Sequence, residues 1–239
     1  MEYTYATDVA NARAAYDALL PAQKSLVTNL ATLTAAEKGI VSDITELTTA
    51  LADLTVNQIF ITDNITFASD VIVNRAVMIN GNYKSFILTG TAHRLLVQAP
   101  GFVLSNTTVT GSTEYNVVVQ DTTSAVNNNA VFSNVTFSNS GKGGLLVLNS
   151  SATIENITTS GNNWGGIQLA QKSAGNPVGK PSVLKVVGTH THIKPVLGVD
   201  TDGVAVWSHD DVNTVSSITG ETSQYTPVVV DPTKTHYKK

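Results

Sequence analysis

Carboxylate side chains are concentrated near the C-terminal end of the sequence, at a spacing that could support chemistry. In chain order the segment contains Asp200, Asp202, His209, Asp210 and Asp211. A pair of carboxylates could supply the acid and the base that hydrolyse a glycosidic bond. The oxygens of Asp200, Asp202 and Asp211 could instead bind calcium, which prefers such ligands. A solvated acidic turn explains the same residues without a ligand, and we prefer it, so no cofactor is predicted.

The chain has two tryptophans, and both lie in or beside predicted strands. An exposed indole next to acids and amides is the arrangement that stacks on a sugar ring. We therefore predict a carbohydrate-binding surface made by the following side chains: Trp207, Trp164, Gln168, His209, Asp210 and Asp211. The loop 171–181 could form one wall of this surface. If that loop covers Trp207 instead, the indole is structural.

A second cluster is His190-Thr191-His192. Alternate residues of a strand share one face, so the two imidazoles lie side by side and supply half of a tetrahedral metal site. Because no third ligand is evident nearby in the sequence, we predict two surface histidines and no metal.

The composition excludes several classes of function. Only 13% of the 239 residues are charged and the net charge is −4, whereas a nucleic-acid-binding surface needs a basic patch. Cysteine is absent, which excludes disulfides and cysteine nucleophiles. No apolar run approaches the roughly 20 residues of a membrane span. The sequence therefore predicts no nucleic-acid partner and no membrane insertion.

Residues 6–55 have the apolar periodicity of α-helices. One helix is predicted around Val9 and Tyr16, and Pro21 is placed to begin the next. A third helix is predicted from a heptad-like seam of apolar side chains, Ile40, Ile44, Leu47, Leu51 and Leu54. The seam favours packing within a helical bundle, which could also cover the open end of the following domain. A self-associating coiled coil is the alternative.

A short β-type unit recurs through the middle of the chain at a near-constant period, which is typical of stacked coils. Its strands align into two aliphatic columns, Leu95, Val117, Leu145, Ile167, Val204 and Val97, Val119, Val147, Leu169, Val206. Because strands alternate their side chains, both columns are predicted to point into the core. The intervening Leu96, Val118 and Leu146 are predicted to form a short exposed ridge.

Asn-x-Thr/Ser triplets recur in register with these columns, at Asn64, Asn106, Asn134, Asn149 and Asn156. They are formally N-glycosylation acceptors. Asparagine also tolerates the left-handed backbone of a tight corner, and stacked amides can form a hydrogen-bonded ladder. We prefer the structural interpretation, in which each triplet begins the second strand of a coil.

The repeat resembles the right-handed parallel β-helix of the pectate-lyase-like superfamily over about residues 57–215. The opening segments 65–67 and 77–82 are similar to the first coil of that family. Residues 9–37 resemble small helical repeats in wall-associated and S-layer-homology proteins of Gram-positive bacteria. These resemblances imply a mainly β fold, a right-handed parallel β-helix with an N-terminal α-helical segment, and an extracellular location on the bacterial cell surface.

Polygalacturonase-like members of the superfamily carry an Asn-Thr-Asp-Gly segment and a paired aspartate, and Asp202, Asp210 and Asp211 resemble these. However, Asp200 stands where that motif has Asn, and the pair follows too closely for a full coil. A pectate lyase needs an arginine beside calcium-binding acids, and no arginine lies near the acidic segment in sequence. No catalytic residue is therefore predicted.

The sequence predicts a helical spacer or cap over residues 1–55, a parallel β-helix over 56–220 and a C-terminal cap or tail over 221–239. The predicted function is that of a non-catalytic, adhesin-like or structural surface domain, monomeric, with cell-wall or extracellular polysaccharide as its partner. Because no signal peptide is evident at the N-terminus, we expect the chain to be a fragment of a larger precursor. The alternatives are a carbohydrate-active enzyme, either a polysaccharide lyase or a glycoside hydrolase, and a trimeric phage-type fibre.

Overall fold

The computed structural model describes residues 4–91, 93–121, 129–170, 182–192, 204–209, 217–231 and 234–238. Strand Val204–His209 is described by its backbone alone. The α-helices of these ranges are α1 Tyr5–Asp17, α2 Pro21–Lys24, α3 Leu30–Lys38 and α4 Ile44–Ala52. The strands are β1 Ile40–Val41, β2 Gln58–Ile61, β3 Ile65–Phe67, β4 Val71–Val73, β5 Val77–Asn80, β6 Ser85–Leu88, β7 Leu95–Val97, β8 Phe102–Thr110, β9 Val117–Gln120, β10 Asn129–Ser138, β11 Gly143–Leu148, β12 Ser151–Glu155, β13 Thr158–Ser160, β14 Gly165–Ala170, β15 Val183–Val187, β16 Thr191–His192, β17 Val204–His209, β18 Ser217–Gly220, β19 Thr226–Asp231 and β20 Lys234–Lys238.

Strands of successive coils stack in parallel and wind the chain into a β-helix with three faces. The first face has the order β1-β2-β5-β8-β10-β12-β15-β18. The second face contains β3, β6, β13 and β16 together with the C-terminal halves of β8 and β10. The third face has the order β4-β7-β9-β11-β14-β17. The fold-class prediction is therefore confirmed: the chain is mainly β, a parallel β-helix with α-helices near its N-terminus.

Asparagines form the corner between the first and second faces. Three triplet asparagines at this corner have left-handed φ angles between 49° and 54°: Asn106, Asn134 and Asn156. Asn149, with a φ of 51°, lies instead at the corner between the third and first faces, after β11 and before β12. The Asn134 amide donates to Asn106 Oδ1, and the Asn106 amide donates to Asn80 Oδ1, each at 3.2 Å. Asn64 accepts a hydrogen bond from the Ser85 N–H at 2.8 Å. The corner interpretation is confirmed for Asn106, Asn134 and Asn156, and the amide ladder for Asn106 and Asn134. It is wrong for Asn149, which precedes a strand of the first face.

We expect Asn134→Ala to destabilise the protein by about 1–2 kcal/mol, because alanine cannot adopt the left-handed φ of 54° without strain. Asn134→Gly should cost less, since glycine adopts that conformation freely. Urea-induced unfolding measures both. Asn163 is an exposed asparagine at another corner, so Asn163→Ala is the matched control. It should change stability by about 0.5 kcal/mol or less. Equal losses at Asn134 and Asn163 would contradict the corner role.

Aliphatic and aromatic side chains fill the interior of the β-helix. The inward columns are confirmed through β14, where the following are fully buried: Leu95, Val117, Leu145, Ile167, Val97, Val119, Val147 and Leu169. Val71 and Val73 of β4 pair with β7 and extend both columns by one coil that the sequence comparison missed. The Phe132 ring packs edge-on against Phe102 and Phe137.

The predicted apolar ridge on the outer surface of the third face is wrong at its centre. Val118 is only 2% exposed, and Leu96 and Leu146 are half-buried. Among the described large apolar side chains on the strands of this face, Ile72 of β4 is the one that is well exposed, at 51%. Strand alternation predicts on which side of the sheet a side chain lies, but not which other residues cover it. The solvent exposure of the ridge therefore could not be predicted from the sequence.

The predicted register of β17 is also wrong. Val206 pairs with Ile167 and Trp207 with Gln168, whereas the sequence alignment paired Val204 with Ile167. The error is two residues, and a shift of two preserves the alternation between the faces of a strand. The aliphatic pattern therefore could not distinguish the two registers.

The predicted helix over residues 40–54 is wrong at both ends, since α4 contains Ile44, Leu47 and Leu51 of the seam but neither Ile40 nor Leu54. α3 ends at Lys38 and is followed by Gly39, where a β-carbon would lie 2.2 Å from the Gln58 carbonyl oxygen. Ile40 then belongs to β1 and pairs with Phe60 of β2. A new helix, α4, begins after Asp43, whose side chain accepts from the Glu46 N–H at 2.9 Å.

Helix α4 covers the open end of the β-helix. Its buried side chains Leu47, Ala50 and Leu51 join the interior cluster, whereas Leu54 is 78% exposed. The Arg75 guanidinium donates to the carbonyl oxygens at the end of α4, those of Ala50 and Leu51. None of the described helices has the length and apolar character needed to cross a membrane.

Strands β19 and β20 form an antiparallel hairpin, and β20 pairs antiparallel with β17 on the third face. Tyr225, just before this hairpin, is buried and packs into the core cluster. The division of the chain at residues 55/56 and 220/221 stays a prediction.

Candidate functional site

Three turns that connect the second face to the third lie directly above one another. They place Glu114 before β9, Lys142 before β11 and Trp164 before β14. The Lys142 N–H donates to the Glu114 carbonyl at 2.8 Å, and the Trp164 N–H donates to the Lys142 carbonyl at 3.1 Å. These backbone hydrogen bonds continue the parallel stacking through the turns, so side chains from successive coils become neighbours.

Two buried asparagines hold these turns in place. Asn116 accepts from the Ser112 N–H at 3.1 Å and donates to the carbonyls of Val109 (3.0 Å) and Ser138 (2.8 Å). Two coils later, the Asn162 side chain accepts from the Ser140 N–H at 3.1 Å and donates to the Phe137 carbonyl at 3.0 Å. Each amide therefore replaces strand hydrogen bonds where the chain turns away from the sheet.

Glu114, Tyr115, Lys142, Trp164 and Gln168 form a cluster on these turns, which we call the corner patch. The Tyr115 ring meets Trp164 edge-on, with centroids 6.4 Å apart and an interplanar angle of 89°. The Lys142 ammonium lies 5.0 Å from the indole centroid and 5.8 Å from the Tyr115 centroid. It also forms an ion pair with Glu114. The indole is thus fixed from two sides by a ring and a cation.

Tyr115 connects the aromatic pair to the adjacent strand. Its ring is 7% exposed, and its hydroxyl donates to Gln168 Oε1 of β14. Burial, reinforced by the negative charge of Glu114, raises the pKa of Tyr115 well above its usual range. The phenol therefore stays a neutral donor at physiological pH, and the Gln168 amide presents its N–H groups as donors.

The chemistry available at the corner patch is stacking and hydrogen bonding. The Trp164 side chain remains 40% exposed, and the charges of Lys142 and Glu114 compensate each other. Indole, amide and ammonium groups together can hold the apolar face and the hydroxyls of a sugar ring. In the described part of the chain, no three His, Cys, Asp or Glu side chains come together as metal ligands.

The structure brings together two of the predicted site residues, Trp164 and Gln168. The backbone of Trp207 lies on the neighbouring rung, because Trp207 pairs with Gln168, and His209 pairs with Ala170. Asp210 and Asp211 lie outside the described residues, as do the metal candidates Asp200 and Asp202. Their roles stay predictions.

Sequence reasoning missed Glu114, Tyr115 and Lys142. These residues precede the aligned strands β9 and β11 as Trp164 precedes β14, so the repeat itself contained the signal. The three turns have different residue types at this position. The sequence alignment rested on the aliphatic columns, which lie in the strands alone.

The prediction of two surface histidines is wrong for His190, which is fully buried. Its ring stacks on His192 at 6.3 Å with an interplanar angle of 13°, and its Nδ1 accepts from the Ile157 N–H at 3.3 Å. His192 contacts Thr159 Oγ1 at 2.7 Å and the Tyr225 hydroxyl at 2.9 Å. The pair connects the second face to the segment before the C-terminal hairpin.

The stacked coils, asparagine corners and capped end define a parallel β-helix protein of the pectate-lyase-like kind. Residues 39–177 match the model of a family described as "putative pectate lyase-like adhesive domain". The match spans more than half of the chain and includes the whole corner patch. The chain belongs to this family of adhesive domains. Searches of curated proteins and of solved structures found no match.

Proposed function

We propose that this chain is a non-catalytic adhesive domain that binds polysaccharide at the corner patch. The observation that carries the proposal is the Trp164 indole, 40% exposed yet held between Tyr115 and Lys142. A ring that is already ordered loses little conformational entropy when it binds a ligand. Membership of an adhesive family supports attachment as the role of this surface.

A saccharide fits the corner patch better than a charged or apolar ligand. Lys142 and Glu114 neutralise each other, so the patch offers no net charge to a strongly ionic partner. Trp164 provides one limited apolar surface, and polar groups of Lys142, Glu114 and Gln168 surround it. This mixture suits a pyranose, which has an apolar C–H face and a rim of hydroxyls.

We further propose an extracellular location on the surface of a bacterium, with cell-wall or extracellular polysaccharide as the ligand. The adhesive family supports a surface role. The resemblance of residues 9–37 to repeats in Gram-positive surface proteins supports a Gram-positive bacterium as the cell. We propose a monomer, which light scattering of the purified chain would test; a stable trimer would favour the fibre alternative.

Trp164→Ala is expected to weaken binding to the recognised polysaccharide about tenfold, the equivalent of roughly 1.4 kcal/mol of lost stacking. Affinity gel electrophoresis against cell-wall and extracellular polysaccharides measures the change. Ile72→Ala is the matched control, because Ile72 is an exposed apolar residue on the same face. It should bind like the wild type.

Lys142→Met provides a second variant at the patch, since it keeps the aliphatic stem but removes the ammonium next to the indole. It should weaken binding without unfolding the turn, whose backbone hydrogen bonds remain. Undiminished binding by both Trp164→Ala and Lys142→Met would place the ligand elsewhere and contradict the proposal.

A further inference from the structure

Tyr83 occupies a backbone conformation that this chain otherwise gives to asparagine. Among the described non-glycine residues with positive φ, every one is asparagine except Tyr83, whose φ is 60°. A bulky side chain is strained in this region, whereas asparagine tolerates it. The Tyr83 side chain is 73% exposed. Burial of the ring in the protein therefore does not offset the strain.

The turn that carries Tyr83 is anchored to the next coil. Gly81 approaches Thr107 so closely that a β-carbon would lie 2.3 Å from the Thr107 Cβ. The Tyr83 N–H donates to the Asn106 carbonyl at 2.6 Å, and the Lys84 N–H donates to the Gly81 carbonyl at 2.8 Å. The backbone on both sides of Tyr83 is thus held in place, and the ring projects from a rigid turn.

The turn that carries Tyr83 is hydrogen-bonded to asparagines. Asn106, whose carbonyl binds the Tyr83 N–H, belongs to the ladder that runs from Asn80 to the exposed Asn134. A protein hot spot normally lies in a well-packed, desolvated pocket, whereas Tyr83 is exposed at a corner that offers asparagines. An aromatic face beside amides complements the C–H face and the hydroxyls of a sugar.

We propose that Tyr83 and the adjoining asparagine ladder form a second saccharide-binding site, which takes an uncharged linear polysaccharide. The strain at Tyr83 is then the free-energy cost of presenting an aromatic ring at a corner. The site lies between the first and second faces, whereas the corner patch lies between the second and third. It does not depend on binding at the corner patch.

The test exploits the opposite effects expected for stability and binding. Tyr83→Asn should raise Tm by about 2–4 °C, because asparagine relieves the left-handed strain, and should abolish oligosaccharide binding at this corner. Tyr83→Phe keeps the ring and the strain, so it should keep both the binding and the wild-type Tm. Cellohexaose and mannohexaose, added at millimolar concentration, are the probes.

Backbone NMR shifts of Tyr83 and Asn134 report this site, and the indole N–H of Trp164 reports the corner patch separately. We expect saturable shifts at Tyr83 and Asn134 in the wild type and in Tyr83→Phe, and none in Tyr83→Asn. The proposal is overturned if neither oligosaccharide shifts these two resonances, or if Tyr83→Asn lowers Tm. Shifts at Trp164 alone would overturn this site and leave the corner patch standing.

Discussion

Replacing Phe132 by alanine is expected to lower the free energy of unfolding by about 3–5 kcal/mol. Phe132 is fully buried, and its ring packs edge-on against Phe102 at 6.1 Å and Phe137 at 5.6 Å. Strand β10 pairs with β8 on one side and β12 on the other. These ladders prevent the coils from collapsing into the space that the ring leaves, so a cavity remains. Urea-induced unfolding followed by circular dichroism measures the loss.

Phe132→Leu is the control for volume, and it should cost less than about 1.5 kcal/mol because it refills most of the cavity. Ile72→Ala, at an exposed position, should change stability by no more than about 0.5 kcal/mol. A loss below about 1 kcal/mol for Phe132→Ala would fall outside the range for buried aromatic residues. It would show that the phenylalanine stack does not hold the coils together.

Asn116→Ala is expected to cost about 3–5 kcal/mol and to abolish polysaccharide binding at the corner patch as well. Asn116 is fully buried, and its side chain makes three hydrogen bonds to the backbone of two coils. Alanine would leave one N–H and two carbonyl groups without this partner, at about 1–3 kcal/mol each where no water replaces it. Tyr115 and its contact with Trp164 depend on the same turn.

Asn116→Asp separates shape from hydrogen bonding, since aspartate keeps the acceptor but loses the N–H donors to Val109 and Ser138. It should be at least as destabilising as alanine, because it also buries a charge. Asn163→Ala, an exposed asparagine beside Trp164, is the neutral control for unfolding in urea. If Asn116→Ala matched Asn163→Ala in stability, the buried amide would not be what holds the turn.

The repeating part of the fold could be predicted from the sequence because each coil repeats the same physical requirement. Leu145 and Val147 had to be apolar for the same reason as Val117 and Val119, and their Cα atoms pair in the predicted register. The asparagine corners were equally regular, since few residues other than glycine and asparagine adopt a left-handed φ without strain. Repetition turned weak local patterns into a firm prediction of the fold.

Elements outside the repeat were predicted poorly. Ile40 fits a heptad with Ile44 and Leu47, and only its pairing with Phe60 makes it a strand. Such a short apolar run has no local property that separates a helix from a strand. The two-residue error at Val206 has a similar cause, because alternation repeats every two residues and both registers satisfy it.

The candidate site was predicted only in part because it is built across coils. Trp164 and Gln168 were chosen for their chemistry, but Tyr115 lies far from them in sequence and is joined to both only by the stacking of turns. Nothing in the sequence distinguishes Lys142 from an ordinary surface lysine, and only the structure shows its ammonium over the indole. Contacts of this kind require three-dimensional coordinates.

Binding without cleavage at the corner patch is tested most directly by fluorescence of a Trp207→Phe variant, in which Trp164 is the single indole. Titration with cell-wall and extracellular polysaccharides should change this fluorescence saturably, while size-exclusion chromatography shows polysaccharide of unchanged length. Shortened polysaccharide would instead identify a carbohydrate-active enzyme. Fluorescence that stays constant across the whole panel would contradict saccharide binding at Trp164.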